Sequence, residues 1–226
     1  MVQPRARRLP ADKRKRLIIE SARGVFASQS YAKVGTADLA KAAGISEPAL
    51  YRHFAGKKEL FVETIRATGP RLLQIWEEIA VDYEDPIETL WAIGVYYYDH
   101  LESHSANLKL QFRALSEADD PDIQAALRDN FEAFVRFVAD TLEEGKARGI
   151  VRKEIDTRVI AWQFLGIGMT LDLMHLLGLK DEVGHARADL WGRVYLDAMK
   201  RTDDRAPRYV TPDGRPAQGA ATMGGM

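Results

Sequence analysis

The chain has 226 residues, of which 46% are hydrophobic and none is cysteine. This length allows one or two domains with a buried core. The lack of cysteine excludes a disulfide framework, a thiolate metal site and a cysteine nucleophile. The net charge is only −1, but residues 1–66 carry 14 Lys and Arg against 6 Asp and Glu, a net +8, while residues 67–226 carry 18 against 27, a net −9. A basic head on an acidic body suggests a polyanionic partner at one end, although a chance imbalance of a solvated surface would give the same numbers.

The N-terminal segment is basic and lacks an apolar run, so we expect no secretory signal and a cytoplasmic protein. We expect residues 1–11 to be a flexible basic arm. The cationic side chains of this arm and of the residues directly after it are Arg5, Arg7, Arg8, Lys13, Arg14, Lys15 and Arg16. They could enter a DNA minor groove or act as a solubilising tail, and the sequence leaves both open.

The segment from Gly35 to Lys58 predicts two short helices joined by a tight turn. Thr36 opens the first helix, and Gly44 ends it because glycine adopts a positive φ without a Cβ penalty. Ser46 is an N-cap for the second helix, and Pro48 suits its first turn. Helical spacing turns Leu50 and Phe54 inward. It leaves five side chains outward: Glu47, Ala49, Tyr51, Arg52 and His53. This pattern is typical of a helix-turn-helix, whose second helix reads the major groove.

A dense set of residues in and around this segment matches a known family pattern: Phe26, Tyr31, Thr36, Leu39, Ala40, Ala43, Gly44, Ile45, Ser46, Ala49, Leu50, Tyr51, Arg52, His53, Phe54, Lys57, Leu60 and Phe61. Over about residues 13 to 66 the chain therefore resembles the N-terminal domain of the TetR family of bacterial transcriptional regulators. The resemblance implies that eight residues stand where family members touch DNA: Thr36, Ser46, Glu47, Pro48, Ala49, Tyr51, His53 and Lys57.

The chemistry of these residues leaves alternatives. Tyr51 could contact DNA or pack on its neighbours, while Thr36, His53 and Lys57 offer donors that suit phosphate oxygens but could also be solvated. Glu47 could accept a hydrogen bond from a cytosine amino group or act only on the helix dipole. Ala37 departs from the family pattern, since some members carry a long polar side chain that reads bases at that position.

The rest of the chain predicts helices in sequence. A stretch from Lys57 to about Ala80 contains Pro70, where we expect a kink or a break. The later helices are predicted from Asp85-Pro86 to about Leu101, around Leu108–Glu117, from Asp122 to about Arg148, from Asp156 to Leu177 and over about His185–Met199, with Gly149 and Gly178 after the two longest. No segment alternates with a period of two, so we expect no sheet.

The sequence thus predicts an all-α fold, in which an N-terminal three-helix helix-turn-helix domain precedes a larger helical ligand-binding and dimerisation domain. We assign residues 1–11 to the arm, 12–56 to the DNA-binding domain and 57–201 to the helical body. The tail over residues 202–226 is rich in Gly, Pro, Arg and Ala, and we expect it to be disordered.

The TetR resemblance also implies a ligand cavity in the body. Large apolar walls with a few polar groups are what such sites need, and the candidates are Trp91, Tyr98, Phe112, Phe131, Phe134, Phe164, Asp172 and His175. Asp172 and His175 could instead form a satisfied pair in a dimer seam or face water at its rim. His100 and His104 could share a metal ion, but solvated or capping histidines explain them better. We expect no metal, no cofactor and no catalytic residue.

The stretch Val159–Leu179 is long and apolar enough to raise the question of a membrane span. Gln163, Asp172 and His175 argue against a span, and we expect a helix buried on most sides in a soluble bundle. Together with the last helix it predicts a two-fold dimer, for which the matching face is Leu190, Trp191, Val194, Tyr195 and Ala198.

Taken together, these features predict a homodimeric regulator, a repressor that binds a palindromic double-stranded DNA operator and is released by a small apolar or aromatic ligand. One alternative is a DNA-binding protein without a small-molecule ligand. The other is an enzyme with a helical body, against which the sequence shows no Gly-rich phosphate loop, no Ser/His/Asp order and no metal cluster.

Overall fold

The computed structural model describes residues 10–201, and this part of the chain is built from nine α-helices without a strand. The helices are α1 Ala11–Ser28, α2 Thr36–Ala42, α3 Glu47–Leu50, α4 Lys57–Val81, α5 Pro86–Asp99, α6 Ser105–Leu115, α7 Pro121–Ala147, α8 Thr157–Leu176 and α9 His185–Asp197. The all-α prediction is confirmed. The expectations for residues 1–9 of the arm and for the tail from residue 202 lie outside the described residues.

The head consists of α1, α2 and α3 packed around the start of α4. Phe26 of α1 and Phe61 of α4 meet edge to face at its centre, with ring centroids 4.7 Å apart. Gly44 has φ 63° at the end of α2, which permits the tight turn into α3. As predicted, Leu50 and Phe54 are buried in the same core.

The core of the head continues into the body. Leu110 of α6 and Leu127 of α7 belong to the same buried cluster as Phe26 and Leu39. The side chain of Arg113 on α6 donates to the backbone carbonyls of Phe26 at 2.9 Å and Gln29 at 2.7 Å, at the C-terminal end of α1. Any shift of α6 is therefore transmitted to α1, because packed interiors move as units.

Helix α4 runs from the head into the body as one helix of 25 residues. The predicted break at Pro70 does not occur. Pro70 is exposed, so the carbonyl that loses its helical partner can bond to water. One residue earlier, Gly69 is buried against Asn130 of α7, whose amide donates to the carbonyl of Ile65 at 2.9 Å. Helix α7 therefore supports α4 at the point where proline weakens it.

The body consists of α5 to α9 and the second half of α4, around a core that includes Trp76, Leu90, Val135 and Leu142. Its helix ends follow the sequence signals. Asp85, Asp120 and Asp156 cap α5, α7 and α8 by accepting backbone N–H bonds. Gly149 and Gly178 take φ 73° and 72° after the ends of α7 and α8. The predicted helices are confirmed to within a few residues, which is the usual uncertainty of helix ends.

Helix α8 differs from its prediction in burial. By length and hydropathy it is the one described helix that could cross a membrane, but only 22% of its apolar window is buried. The expectation of a helix buried on most sides is therefore wrong for a single chain. Its outer face exposes large apolar side chains at helical spacing: Val159, Trp162, Met169, Leu173 and Leu177. The reason is geometric, since the other helices of one small bundle cover only one side of α8.

Candidate DNA-binding surface and body cavity

Three of the predicted DNA-contacting residues come together on the outer face of the head. Thr36 begins α2, Glu47 begins α3 and Tyr51 follows α3 directly. The Thr36 hydroxyl donates to the Glu47 carboxylate, and the Tyr51 hydroxyl lies 3.5 Å from the Thr36 oxygen. Tyr51 remains 51% exposed. The turn between α2 and α3 thus presents one polar cluster with an accessible aromatic ring.

The hydrogen bond between Thr36 and Glu47 limits the contacts that each residue can make to DNA. Because the carboxylate of Glu47 accepts the Thr36 hydroxyl proton, that proton is not free for a phosphate. Glu47 still has lone pairs for a second donor. Its place in the first turn of α3 also suits a negative charge on the helix dipole, so both interpretations of Glu47 remain predictions.

The other residues in and around α3 that were predicted to contact DNA differ in their exposure to solvent. Ser46 and Pro48 are exposed, and His53 is half-buried. Ser46 occupies the N-cap position as predicted, without a side-chain capping bond. Ala49 is buried, so the expectation that it faces outward is wrong. The reason is that α3 has only four residues. The prediction that Ala49 faces outward assumed a regular helix that continues beyond this single turn.

Lys57 has a structural contact that the sequence did not indicate. Its ammonium group donates to the backbone carbonyl of Tyr31 at 2.9 Å and lies 4.3 Å from the centre of the Tyr31 ring. This contact joins the start of α4 to the turn after α1. An ammonium group has three donors, so Lys57 can hold the head together and still reach a phosphate.

A basic head that presents a short helix across a tight turn from another defines a helix-turn-helix DNA-binding protein. Residues 18–64 match the family model described as "Bacterial regulatory proteins, tetR family". Relatives of the chain include transcriptional activators and repressors. In its head the protein therefore resembles the TetR family of transcriptional regulators.

Similarity to individual members extends beyond the head. The chain is 28% identical over 163 residues to the transcriptional activator FasR of Mycolicibacterium smegmatis, covering 68% of this chain and 74% of FasR. It is 26% identical over 144 residues to the transcriptional repressor KstR2 of Mycobacterium tuberculosis, covering 63% and 72%. The crystal structure of a TetR transcriptional regulator from Chloroflexus aurantiacus superposes with a TM-score of 0.73 at 16% identity, covering 85% and 98%. That last likeness concerns the fold.

The body contains a cavity of about 300 Å³ between α1, α4, α5, α6 and α7. A second cavity of about 90 Å³ adjoins it on the side of α8. The two share part of their walls: Leu72, Tyr97, Gln111, Phe131 and Phe134. We refer to the first as the large cavity and to the second as the inner cavity. The large cavity by itself is within the size range of small-molecule sites.

Of the eight predicted ligand residues, four line the large or the inner cavity, two line a separate cavity and two line none of the three. Phe131 and Phe134 line both cavities, and Phe164 and Asp172 line the inner one. Trp91 and Tyr98 line a separate cavity of about 50 Å³ towards α9. Phe112 and His175 line none of these three cavities.

Trp91 and Tyr98 make bonds that hold α5 to the C-terminal part of the body. The indole N–H of Trp91 donates to Asp189 of α9 at 2.8 Å, and the guanidinium of Arg193 lies 3.9 Å from the centre of its ring. The Tyr98 hydroxyl donates to the backbone carbonyl of Val183 at 2.6 Å. These contacts explain both aromatic residues without a ligand.

Asp172 is bonded to a partner that the sequence did not indicate. Its carboxylate is 3% exposed and accepts the hydroxyl of Tyr97 of α5. Burial raises the pKa of Asp172 from 3.8 to about 6, while the hydrogen bond from Tyr97 opposes this shift. Burial also raises the pKa of Tyr97, and the adjacent carboxylate adds to that effect. The inner cavity therefore has one acidic group at its α8 wall.

His100 and His104 also have an environment that the sequence did not reveal. Both are half-buried and line the large cavity, with ring centroids 6.0 Å apart. Among the described residues, no group of three possible metal ligands occurs. Burial lowers the pKa of His104, and His100, Arg71 and Arg23 lower it further. The last two belong to α4 and α1, far away in sequence, so no local pattern could have grouped them with the histidines.

Proposed function

We propose that the protein acts in the cytoplasm as a homodimeric repressor that binds a palindromic DNA operator and is released by a small ligand. The observation that carries this proposal is the cluster of half-buried Thr36 and Glu47 with exposed Tyr51, on a head whose core continues into a body with a cavity. Such a cluster presents a hydroxyl, a carboxylate and an aromatic ring to one groove, and base edges are read by side chains of this kind.

The dimer is supported by the apolar outer face of α8 and α9. Val159 and Leu173 of α8 are 52% and 48% exposed, and Leu177 directly after α8 is 63% exposed. Leu190 and Val194 of α9 are 62% and 63% exposed. A contiguous exposed apolar patch marks an interaction surface, and a two-fold axis would place the same patch on both partners.

Not every residue predicted for the dimer lies on that face. Trp191 is 37% exposed and Ala198 is exposed, which fits the prediction. The Tyr195 hydroxyl instead donates to the backbone carbonyl of Ile160 at 2.8 Å, so its polar end joins α9 to α8 within one chain. Gln163 and Thr170 are also exposed on α8, and such polar groups favour a protein partner over a lipid environment.

Release by a ligand is supported by the connections between the cavity and the head. Phe131 and Asn130 of the cavity wall lie on α7, which holds α4 through the bond from Asn130 to Ile65. Helix α4 begins at Lys57 in the head. A ligand that moves α7 or α4 would tilt the head, and two heads tilted in a dimer would no longer match successive major grooves.

Relatives of the chain regulate in both directions, since FasR is named an activator and KstR2 a repressor. We propose repression because a dimer bound across a palindrome blocks access to the DNA unless a ligand changes the spacing of its heads. The alternative, a nucleoid-type DNA-binding protein without a ligand, predicts uniform rather than site-specific protection.

The test combines a footprint with a measurement of mass. We expect the purified protein to protect a palindromic segment near its own gene, with half-sites about 34–36 Å apart or a multiple of it. We expect light scattering to give the mass of two chains at micromolar concentration. Uniform protection along the DNA would contradict operator recognition, and a monomer would contradict the dimer.

A further inference from the structure

The large cavity has a cationic end. Four of its lining residues carry or can carry a positive charge, and they come from three segments: Arg23 of α1, Arg71 of α4, and His100 and His104 of the connection between α5 and α6. Among the described residues that line this cavity, none is acidic. Arg71 is 67% exposed in its side chain and Arg23 only 25%, so this end extends from the protein interior to solvent.

These positive charges are only partly neutralised. Glu20 accepts a bond from Arg23 and lies 3.9 Å from Arg71. The other contact of Arg23 is the neutral side chain of Asn107 at 3.2 Å. One carboxylate thus faces two guanidinium groups. Burial lowers the pKa of His104 most, and the nearby His100, Arg71 and Arg23 lower it further. An anion placed there would relieve this repulsion.

Away from these cations, the wall that the large cavity shares with the inner cavity is mainly apolar. The aromatic rings of Phe131 and Phe134 form the wall shared by the two cavities, and Trp76 and Phe164 continue it into the inner cavity. The indole N–H of Trp76 is buried and has no hydrogen-bond partner, a costly arrangement that a ligand acceptor would remove. The buried carboxyl of Asp172 lies at this end, so a negatively charged group is disfavoured there.

We propose that the ligand is an amphipathic anion whose carboxylate or phosphate group binds between Arg23 and Arg71 and whose apolar part lies along Phe131 and Phe134 towards Trp76. Guanidinium groups present a planar fork of donors that matches the oxygens of either anion. This inference rests on the proposed function and names the chemical class of its effector.

The position of Arg23 indicates that the negative charge of the ligand also links the head to the body. Arg23 belongs to α1 of the head, whereas Arg71, His100 and His104 belong to the body. An anion held between Arg23 and Arg71 therefore bridges the two parts of the chain. The acidic group of the ligand, rather than its bulk alone, would then shift α1 against α4 and weaken operator binding.

The test compares an acid with its uncharged isostere. Calorimetry measures the affinity of octanoate, octyl phosphate and octanamide, and of phenylbutyrate and phenylbutyramide, for the parent and for Arg71→Gln and Arg23→Gln. Arg66→Gln is the matched control, because Arg66 is an exposed arginine of the same helix that does not line the cavity.

We expect the acids to bind the parent at least roughly tenfold more tightly than the amides, as for a charge-assisted hydrogen bond. Arg71→Gln and Arg23→Gln should lose most of this preference, while Arg66→Gln should keep it. The carboxylate and phosphate arms then show which head group is preferred. Since Arg71 is largely exposed, Arg71→Gln should fold normally. If Arg23→Gln fails to fold, Arg71→Gln is sufficient to test the proposal.

Equal affinities for acid and amide, no binding of either at millimolar concentration, or an unchanged preference in Arg71→Gln would overturn the proposal. Operator binding is measured separately in a gel shift without ligand. A protein that binds its operator but shows no acid preference refutes the ligand class alone. A protein that prefers acids but binds no operator refutes the proposed function alone.

Discussion

The hydroxyl of Tyr97 lies 2.8 Å from one carboxylate oxygen of Asp172 and 2.9 Å from the other, and this bond joins α5 to α8 inside the body. The pair consists of a buried acid and one neutral donor. A carboxylate in such a place is poorly compensated, because several hydrogen bonds or a cation are needed to replace its hydration. The pair is therefore a test of how burial sets the pH dependence of stability.

We expect Asp172→Asn to stabilise the protein at neutral pH. The folded pKa of about 6 lies above the unfolded value near 3.8, so the folded state holds the proton more tightly. The contribution of Asp172 to stability is thus fully present below about pH 4 and is lost as the pH rises through 6. The difference in unfolding free energy between variant and parent should grow by up to about 3 kcal/mol from pH 4 to pH 8. Denaturant titrations at several pH values measure it.

Asp129→Asn is the matched control for that measurement, since Asp129 is an exposed aspartate on α7. Its difference from the parent should stay nearly constant over the same pH range. A constant difference for Asp172→Asn as well would mean that Asp172 titrates normally in the folded state.

Tyr51→Ala should weaken binding to the operator by about 1–3 kcal/mol, the range for a good specific contact. Tyr51 is 51% exposed, so the loss should come from DNA and not from folding. Tyr83→Ala removes a tyrosine that is 39% exposed in the body and should leave affinity unchanged. A gel shift with parental affinity for Tyr51→Ala would show that the ring does not contact the DNA.

Lys57→Ala should have two separable effects. The loss of a phosphate contact should weaken binding to all DNA sequences and reduce the slope of log affinity against log salt by about one. The loss of the bond to the Tyr31 carbonyl should lower the stability of the protein by about 1 kcal/mol. Lys109→Ala, an exposed lysine of α6, is the control. An unchanged salt slope with reduced stability would assign Lys57 to structure alone.

Val194→Glu should convert the dimer to a monomer, because the proposed interface would bury an unpaired charge in an apolar seam. Val194 is 63% exposed in the single chain, so the variant should fold. Val81→Glu introduces the same charge at a valine that is 84% exposed at the end of α4 and should remain dimeric. Light scattering distinguishes the two, and a dimeric Val194→Glu would place the interface elsewhere.

Gly69→Ala should destabilise the contact between α4 and α7. A Cβ at this position would lie 2.3 Å from the side-chain oxygen of Asn130, so Asn130 must move and lose its bond to Ile65. We expect a loss of about 1–3 kcal/mol. Gly24→Ala is the control, because a Cβ there meets no atom within 4 Å. Thermal melting would contradict the prediction if both variants matched the parent.

Local signals in the sequence determined the elements of this protein. Helix ends were predictable because capping acts over a few residues, as at Asp85, Asp156 and Gly149. The helix-turn-helix was predictable for the same reason, since Gly44, Leu50 and Phe54 fix its turn and its inward face within one short segment. The resemblance to the TetR family followed from this segment.

Tertiary structure decided which residues share an environment. Arg23 and His104 line one cavity although they are distant in the chain, and the partner of Asp172 is Tyr97 rather than His175. Burial also depended on tertiary structure, as the exposed outer face of α8 shows. Capping and periodicity act between neighbours in sequence, so the sequence alone determined the helices and the helix-turn-helix of the head. Cavity walls, charge clusters and exposed faces arise where distant helices meet, so only the packing of the folded chain decided them.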